Sequence, residues 1–535
     1  MRHTILYLFL GFFTLYVLTS PGVINVCDGE ARFRVSLSLV ERGRVDVDSD
    51  VGYLDGLFIK GADGKNYSIH NIGQPLIMSP FVVLGKLIES KLPPEYGKRK
   101  DRIIISGLIA LICFPLFGVG AVVMFYLCML ELGRSPRTSL VTSMIYGAAT
   151  IAWPYASSSF EENIIAFLTL AGFLYYLRGG NRARYMNAMI AGLFIGFAIL
   201  VRVPIVVQAS ILFVGYLFRA YLKFRNFNTE RDCFTSFAMT EKGSVIARSV
   251  MTKQSNSREY NWILEIICFI IGVLFIGGIT LIYNYIKTGN PFETGYLLSY
   301  PELLHGNPLI GLYTNLLSPG DGLLWYSPVI ILSLITVPKV IKTRDFNEMM
   351  AYAIFIGVTV FLSFIFRPAI EMGWGSRFLV GAVPFIMIPV GRLIEESHCW
   401  SRTKKYIIYT LIFSSVLIQL LGIAMPHETE SYPLFIRGQK LILRERPLLL
   451  YRARNVAWVL LNYAGQEKLA NKIMPLVDRE MLEQDENFHN IFIWPIKCSY
   501  SRNIRLLRPW MSGLVLLGGF IMVGVFMKAA FKSLR

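Results

Sequence analysis

Hydrophobic runs dominate this chain from end to end, and most are long enough to approach the roughly 30 Å of a bilayer's hydrocarbon core. Read by that pattern, spans fall at residues 5–20, 103–130, 140–153, 164–177, 188–201, 205–221, 263–285, 323–337, 349–366, 378–394, 406–425 and 511–527. Several are shorter than the roughly 20 residues of a perpendicular crossing, so the pattern places their centres better than their ends. The first run follows a basic Met1-Arg2-His3 start, as a signal peptide would. It lacks an A-x-A-like cleavage site, and Ile24-Asn25-Val26 before Cys27 is no lipoprotein box, so it reads as an uncleaved first helix.

Polar connections alternate in character. Those at 131–137, 178–184, 219–262, 339–347, 395–405 and 528–535 are rich in Lys or Arg, whereas 157–163 and 367–376 are less basic. The positive-inside rule then predicts an all-α polytopic protein of about twelve transmembrane helices with both termini cytoplasmic. Two outer segments, 22–102 and 427–508, are large. In the first, 75–87 is apolar but short and interrupted, which predicts an interfacial or re-entrant helix. In the second, 448–463 is amphipathic, with Arg452 and Arg454 beside Val456, Trp458 and Leu460, and reads as another surface helix. Residues 226–257 are polar and lack sustained periodicity. Their strings at 231–240 and 245–255 resemble peptides read in frame from a dispersed bacterial genomic repeat, which implies a cytoplasmic insertion and a bacterial source.

Composition agrees: 54% of the 535 residues are hydrophobic and 17% charged, against about 25% charged in soluble chains. A net charge of +17 would suggest nucleic acid in a soluble protein; here Lys and Arg in cytoplasmic loops account for it, and no nucleic-acid partner is expected. The seven cysteines form no C-x-x-C or Cys/His pattern, and Cys113, Cys128 and Cys268 lie inside apolar runs. Cys27 and Cys498 are the cysteines this topology puts outside, where a disulfide would need Cα atoms within about 7 Å.

Chemistry concentrates on the outer side. Asp28 and Glu30 follow the first helix, a carboxylate pair of the kind that proton abstraction or interfacial metal binding requires. Downstream, Gly64 to Leu76 reads G-x-x-Y-S-x-H-x-x-G-x-P-L and runs into the interfacial stretch. Pro154-Tyr155 with Phe160-Glu161-Glu162, the G-L-F-I-G-F-A-I-L-V-R string ending at Arg202, Tyr283-Asn284 with Gly289-Asn290-Pro291 and Thr294-Gly295-Tyr296, Gly322 to Pro328, and Trp374 to Leu379 follow in order. Together these resemble the GT-C superfamily of polyprenyl-phosphate-sugar glycosyltransferases, and within it the bacterial relatives of protein O-mannosyltransferases and lipid A aminoarabinose transferases. The resemblance runs from about residue 6 to 394.

It implies an inner-membrane enzyme with an extracytoplasmic site. A sugar would pass from a polyprenyl-phosphate donor to a glycan, lipid or protein acceptor with inversion, a carboxylate taking the acceptor proton and a cation steadying the departing phosphate. Many relatives place two adjacent carboxylates at the first site; here Gly29 separates them, and Asp28 is the expected base with Glu30 as its partner. Arg202, a charge in an apolar stretch, is the expected phosphate cation, with snorkelling or carboxylate pairing as the alternative. Arg377 is a second cation or an interfacial anchor. Glu161 and Glu162 would approach Asp28 to orient the acceptor or hold a divalent metal, or else complement a helix dipole. His70 would bind phosphate or sugar, or be structural; Tyr67, Tyr296 and Trp374 would line the cavity or belong to an aromatic belt. The domain reading is a catalytic membrane region at 1–425 holding the 226–257 insertion, an outer segment at 426–509, and a last helix and tail at 510–535. A secondary transporter and a lipid-linked polysaccharide polymerase or ligase are the competing readings. Sugar, acceptor and metal dependence stay open.

Overall fold

The computed structural model describes residues 1–48, 52–92, 102–180, 183–237, 262–299, 306–365, 373–427, 429–430, 445–474, 491–500 and 509–534. Helix α1 (Arg2–Thr19) opens the chain, and α2 (Cys27–Arg42) follows after a short turn. Strands β1 (Phe58–Lys60) and β2 (Asn66–Ser68) form an antiparallel ribbon in which Ile59 faces Tyr67. Then come α3 (Gly73–Glu89), a long α4 (Ile103–Glu131) with a π-helical turn at Ile109–Cys113, α5 (Pro136–Ala149), α6 (Glu162–Leu177) and α7 (Arg184–Val201). Helices α8 (Val206–Phe237), α9 (Trp262–Gly277), α10 (Ile279–Thr288), α11 (Ile331–Thr343) and α12 (Phe346–Ile365) follow. The chain ends with α13 (Arg402–Ala424), α14 (Leu448–Tyr463) and α15 (Pro509–Lys532).

Among the described residues, eight helical stretches are long and apolar enough to cross a membrane: α1, α4, α7, the apolar part of α8, α9 with α10, α12, α13 and α15. The other four expected spans are shorter or broken. Helices α5 and α6 are 14 and 16 residues long. The run at 323–337 divides at Pro328 into a four-residue helix and α11, and the run at 378–394 divides into Val383–Met387 and Val390–Glu395, each with a proline at its start. Most side chains of α6 and of the broken 378–394 stretch are buried, so protein rather than lipid surrounds them and irregular backbone is tolerated there. The protein is thus a multi-pass, almost entirely helical membrane protein. The segment expected to be irregular from 226 onward continues as helix to Phe237; the rest of it lies outside the described residues.

Small residues set the closest helix contact. A Cβ on Gly192 of α7 would collide with the carbonyl oxygen of Phe269 in α9, and Gly196 and Gly272 meet the opposite backbone as tightly, so the G-x-x-x-G spacing lets two helices touch main chain to main chain. The first and last helices also pair, antiparallel: Thr4 Oγ1 is 2.8 Å from Ser533 Oγ, and Gly519 receives the side chain of Leu18.

A layer of α2, the ribbon and α3 covers the site end of the bundle. Ala31 and Val35 of α2, Leu54, Phe58 and Ile72 form a small core with Leu200 of α7 and Tyr283 of α10, which fixes α2 and the ribbon on those helices. Helix α3 matches the expected interfacial stretch and exposes Leu76, Val83, Leu84 and Leu87. Helix α14 spans the predicted residues, but Arg452 points inward, not to water. It is fully buried, pairs with Glu430 at 2.6 Å and donates to the carbonyls of Met425 (3.0 Å) and Pro426 (2.7 Å) at the end of α13.

Candidate active site

Asp28 and Glu30 stand on the first turn of a helix, not in a loop. Two residues turn a helix by about 200°, so the pair cannot share a face. Asp28 faces inward with Arg32 one turn on, while Glu30 turns away to Arg34 at 3.3 Å; it does not partner Asp28. The start of α2 is tied to the Glu161 loop by Asn25, whose Oδ1 accepts from Ser159 N (3.2 Å) and Oγ (2.9 Å). Gly73, at the start of α3, sits where a Cβ would strike the backbone of Leu200 and Val201, so α3 abuts the end of α7 just before Arg202.

Three guanidiniums and three carboxylates meet there. Arg377 Nη1 lies 3.3 Å from Asp28 Oδ2, and its Nε lies 3.5 Å from Glu162 Oε1. Arg202 reaches Glu161 and Glu162, each at 3.6 Å, and Arg32 pairs directly with Glu161. Three guanidiniums thus face three carboxyl groups, so the charge brought out of water is largely paired within the cluster. Aromatic faces hold the cations: the Arg202 guanidinium is 3.7 Å from the Phe378 ring centroid and that of Arg377 is 4.3 Å from Phe160.

His70 closes the cluster on the ribbon side. Arg32 Nη2 donates to His70 Nδ1 at 3.1 Å, and Tyr296 Oη lies 2.7 Å from the same nitrogen. A guanidinium can only donate, so Nδ1 is unprotonated and the proton sits on Nε2, facing Asp28 Oδ1 at 3.7 Å. Burial and the Arg32 charge hold His70 well below the usual imidazole range, so the ring is neutral. Burial would raise the Asp28 carboxyl, but the guanidinium charges of Arg377, Arg32 and Arg202 outweigh it and hold it at about 2. Asp28 is the least covered carboxylate of the three, its side chain 19% exposed against 8% for Glu161 and 2% for Glu162.

Beside the cluster lies a narrow cleft of about 20 Å³ lined by Glu162, Arg202, Ile205, Gln208, Val358 and Leu362, between α8 and α12. The structure therefore brings together Asp28, His70, Glu161, Glu162, Arg202, Tyr296 and Arg377. Tyr67 stays apart, its hydroxyl donating to Asp63 Oδ2 at 3.0 Å within the ribbon. Trp374 lies behind the site, edge-on to Tyr326 with ring centroids 4.8 Å apart and with the Arg452 guanidinium 4.8 Å from its own centroid. Among the described residues no three His, Cys, Asp or Glu side chains gather to hold a metal ion; Glu161 and Glu162 bind arginines instead. Whether Cys27 and Cys498 pair lies outside the described side chains.

Sequence reading missed Arg32 and His427. Arg32 had a signal, its i, i+4 spacing from Asp28 once a helix is drawn there. His427 stacks on Tyr155, ring centroids 5.2 Å apart, and adjoins Phe160, so the stretch after α13 reaches the aromatic floor beneath Arg377.

No protein-family model matches the chain, and no curated protein matches it either. Solved structures similar to it include ArnT from Cupriavidus metallidurans bound to undecaprenyl phosphate, at 12% identity and TM-score 0.45, covering 98% of this chain and 77% of that one. The Archaeoglobus fulgidus oligosaccharyltransferase AglB, in complex with an inhibitory peptide and a dolichol-phosphate, is similar at 13% identity and TM-score 0.40, covering 89% of this chain. The chain spans 60% of the length of AglB. Likeness at this level decides nothing about chemistry. The side chains must carry that.

Proposed function

We propose that this protein is a membrane glycosyltransferase that moves a sugar from a polyprenyl phosphate to an acceptor on the extracytoplasmic face of the inner membrane. The observation that carries it is the ionised, partly open Asp28 facing Arg377 in the cluster, with Arg202 lining the neighbouring cleft. That combination supplies a proton acceptor, cations for a phosphate and, in Ile165, Ile205, Val358 and Leu362, an apolar flank beside them. The ordered motifs resembling the GT-C superfamily fall on the same residues.

In this reading the acceptor hydroxyl oxygen attacks the anomeric carbon while Asp28 takes its proton. The bond from the anomeric carbon to the phosphate oxygen breaks, and the polyprenyl phosphate keeps the electron pair, steadied by Arg202 and Arg377. Attack opposite the leaving group inverts the centre. A carboxylate held at about 2 is a poor base. An arriving phosphate draws Arg377 off Asp28 and raises its basicity, so donor binding readies the base. His70 Nε2–H lies 3.7 Å from Asp28 Oδ1 and would hydrogen-bond the carboxylate on closer approach.

The test uses purified protein in liposomes with polyprenyl-phosphate sugars, the donor chosen by mass spectrometry of lipids and glycans from cells with and without the gene. Asp28→Asn should cut transfer by about 10²- to 10⁴-fold while donor binding survives. Arg202→Ala should weaken donor binding as well as turnover, because it also strips the partner from Glu161 and Glu162. Near-normal transfer by Asp28→Asn removes Asp28 as the base.

A further inference from the structure

One face of α10 is polar, buried and incompletely satisfied. Thr280, Tyr283, Asn284 and Lys287 follow at i, i+3, i+4 and i+7, and all four are buried. The Thr280 hydroxyl, the Tyr283 hydroxyl, Asn284 Oδ1 and Lys287 Nζ each lack a hydrogen-bond partner among the described residues. Elsewhere on the helix the outward side chains are apolar, with Leu281, Ile282, Tyr285 and Ile286 exposed. So this polar stripe was placed toward the protein, where unpaired polar groups cost most. Lys287 is the extreme case: it is 0% exposed, and among the described residues its ammonium meets no carboxylate, while the Tyr283 ring centroid lies 4.8 Å away. A lysine meant to snorkel would reach water, and one meant to pair would have a partner. The stripe belongs to the site end of the bundle. Tyr283 packs under the ribbon and α2, and Lys287 lies close enough to His70 to weigh on its ionisation.

We infer that this face of α10 binds an anionic, hydroxyl-bearing group, an acidic sugar, with Lys287 meeting its carboxylate or phosphate and Thr280, Tyr283 and Asn284 meeting its hydroxyls. The stripe is about 10 Å long, the reach of one sugar ring and a charged substituent. The inference rests on the transferase reading for its place in the reaction but not for the binding itself. The acid arrives either on the transferred sugar or on the acceptor.

Binding is measured directly, on full-length protein in detergent, with sodium glucuronate and with glucose as probes. Glucuronate should bind about tenfold more tightly or better, and Lys287→Met should abolish that preference. The same variant should leave the melting temperature unchanged or raised, because it removes an unpaired buried charge; a merely structural lysine would give the opposite. Tyr283→Phe should weaken both sugars alike. Asp28→Asn should keep the preference even where transfer is lost, which separates failure here from failure of the transferase reading. In the transfer assay, Lys287→Met should raise the KM for the donor if the acid sits on the transferred sugar, or for the acceptor if it sits there. Equal binding of the two probes, or an undiminished preference in Lys287→Met, overturns the inference.

Discussion

His70 is a small balance of donors. Arg32 and Tyr296 both address Nδ1, so the ring presents Nε2–H to Asp28 and cannot take a second proton without facing the Arg32 charge. Unfolded, the same imidazole protonates near pH 6.5. Below that pH the unfolded state binds more protons than the folded one, so stability falls with acidity, by at most about 1.4 kcal/mol per pH unit for each such histidine. His427 behaves alike, since burial and then Arg452 and Arg377 lower it to about 3. The melting temperature in detergent should therefore fall from about pH 6.5 downward, and His70→Gln should flatten that slope without removing the part due to His427. A slope identical to wild type would mean that His70 is charged in the folded protein. Asp28, Arg202, Arg377 and the Glu161-Glu162 pair were legible in the sequence because charges beside long apolar runs are costly and so stand out. Arg32 was not, because it follows Asp28 and Glu30 in a stretch that looks like an ordinary solvated loop. Glu30 misled for the same reason: only a helix turns it away. Glu30→Gln should accordingly keep transfer near wild type.

Helix α14 shows the limit of amphipathic reading. Its pattern located Leu448–Tyr463 correctly, yet an arginine on an amphipathic helix is ordinarily assigned to the wet face. Arg452 instead caps α13, whose last carbonyls have no helical partner, and Glu430 and Asn455 complete the arrangement, with Asn455 Nδ2 donating to Glu430 Oε1 at 3.0 Å. Arg452→Met strands a buried carboxylate and should cost about 3–5 kcal/mol. Arg452→Met with Glu430→Leu should recover part of it. Thermal unfolding of the two variants checks the pairing, and equal loss in both would place the cost in the α13 carbonyls alone. Because His427 lies between α13 and α14, the single variant should also loosen the aromatic floor under Arg377 and lower transfer.

At the scale of the molecule, hydropathy found the long apolar helices and was least accurate at 323–337, which keeps an exposed apolar face, and at 378–394, where protein replaces lipid. Prolines break those runs, and neighbours satisfy the freed backbone. Orientation is a separate matter: Glu467→Cys, on the outer segment, should react with an impermeant thiol reagent in intact cells, and reaction only after the cytoplasm is opened would invert the topology. The pairing of α1 with α15 bears on how the protein is made. Trp494 completes that seam, its backbone N–H donating to Ser20 O and its indole to Val17 O, each at 2.9 Å, just ahead of α2. At roughly 5–20 residues per second, the ribosome releases these partners on the order of 25–100 s apart. Throughout that interval the end of α1 lacks its brace, so the newborn chain waits in the bilayer with the start of α2 unanchored on that side, and the proposed activity would follow only the insertion of α15.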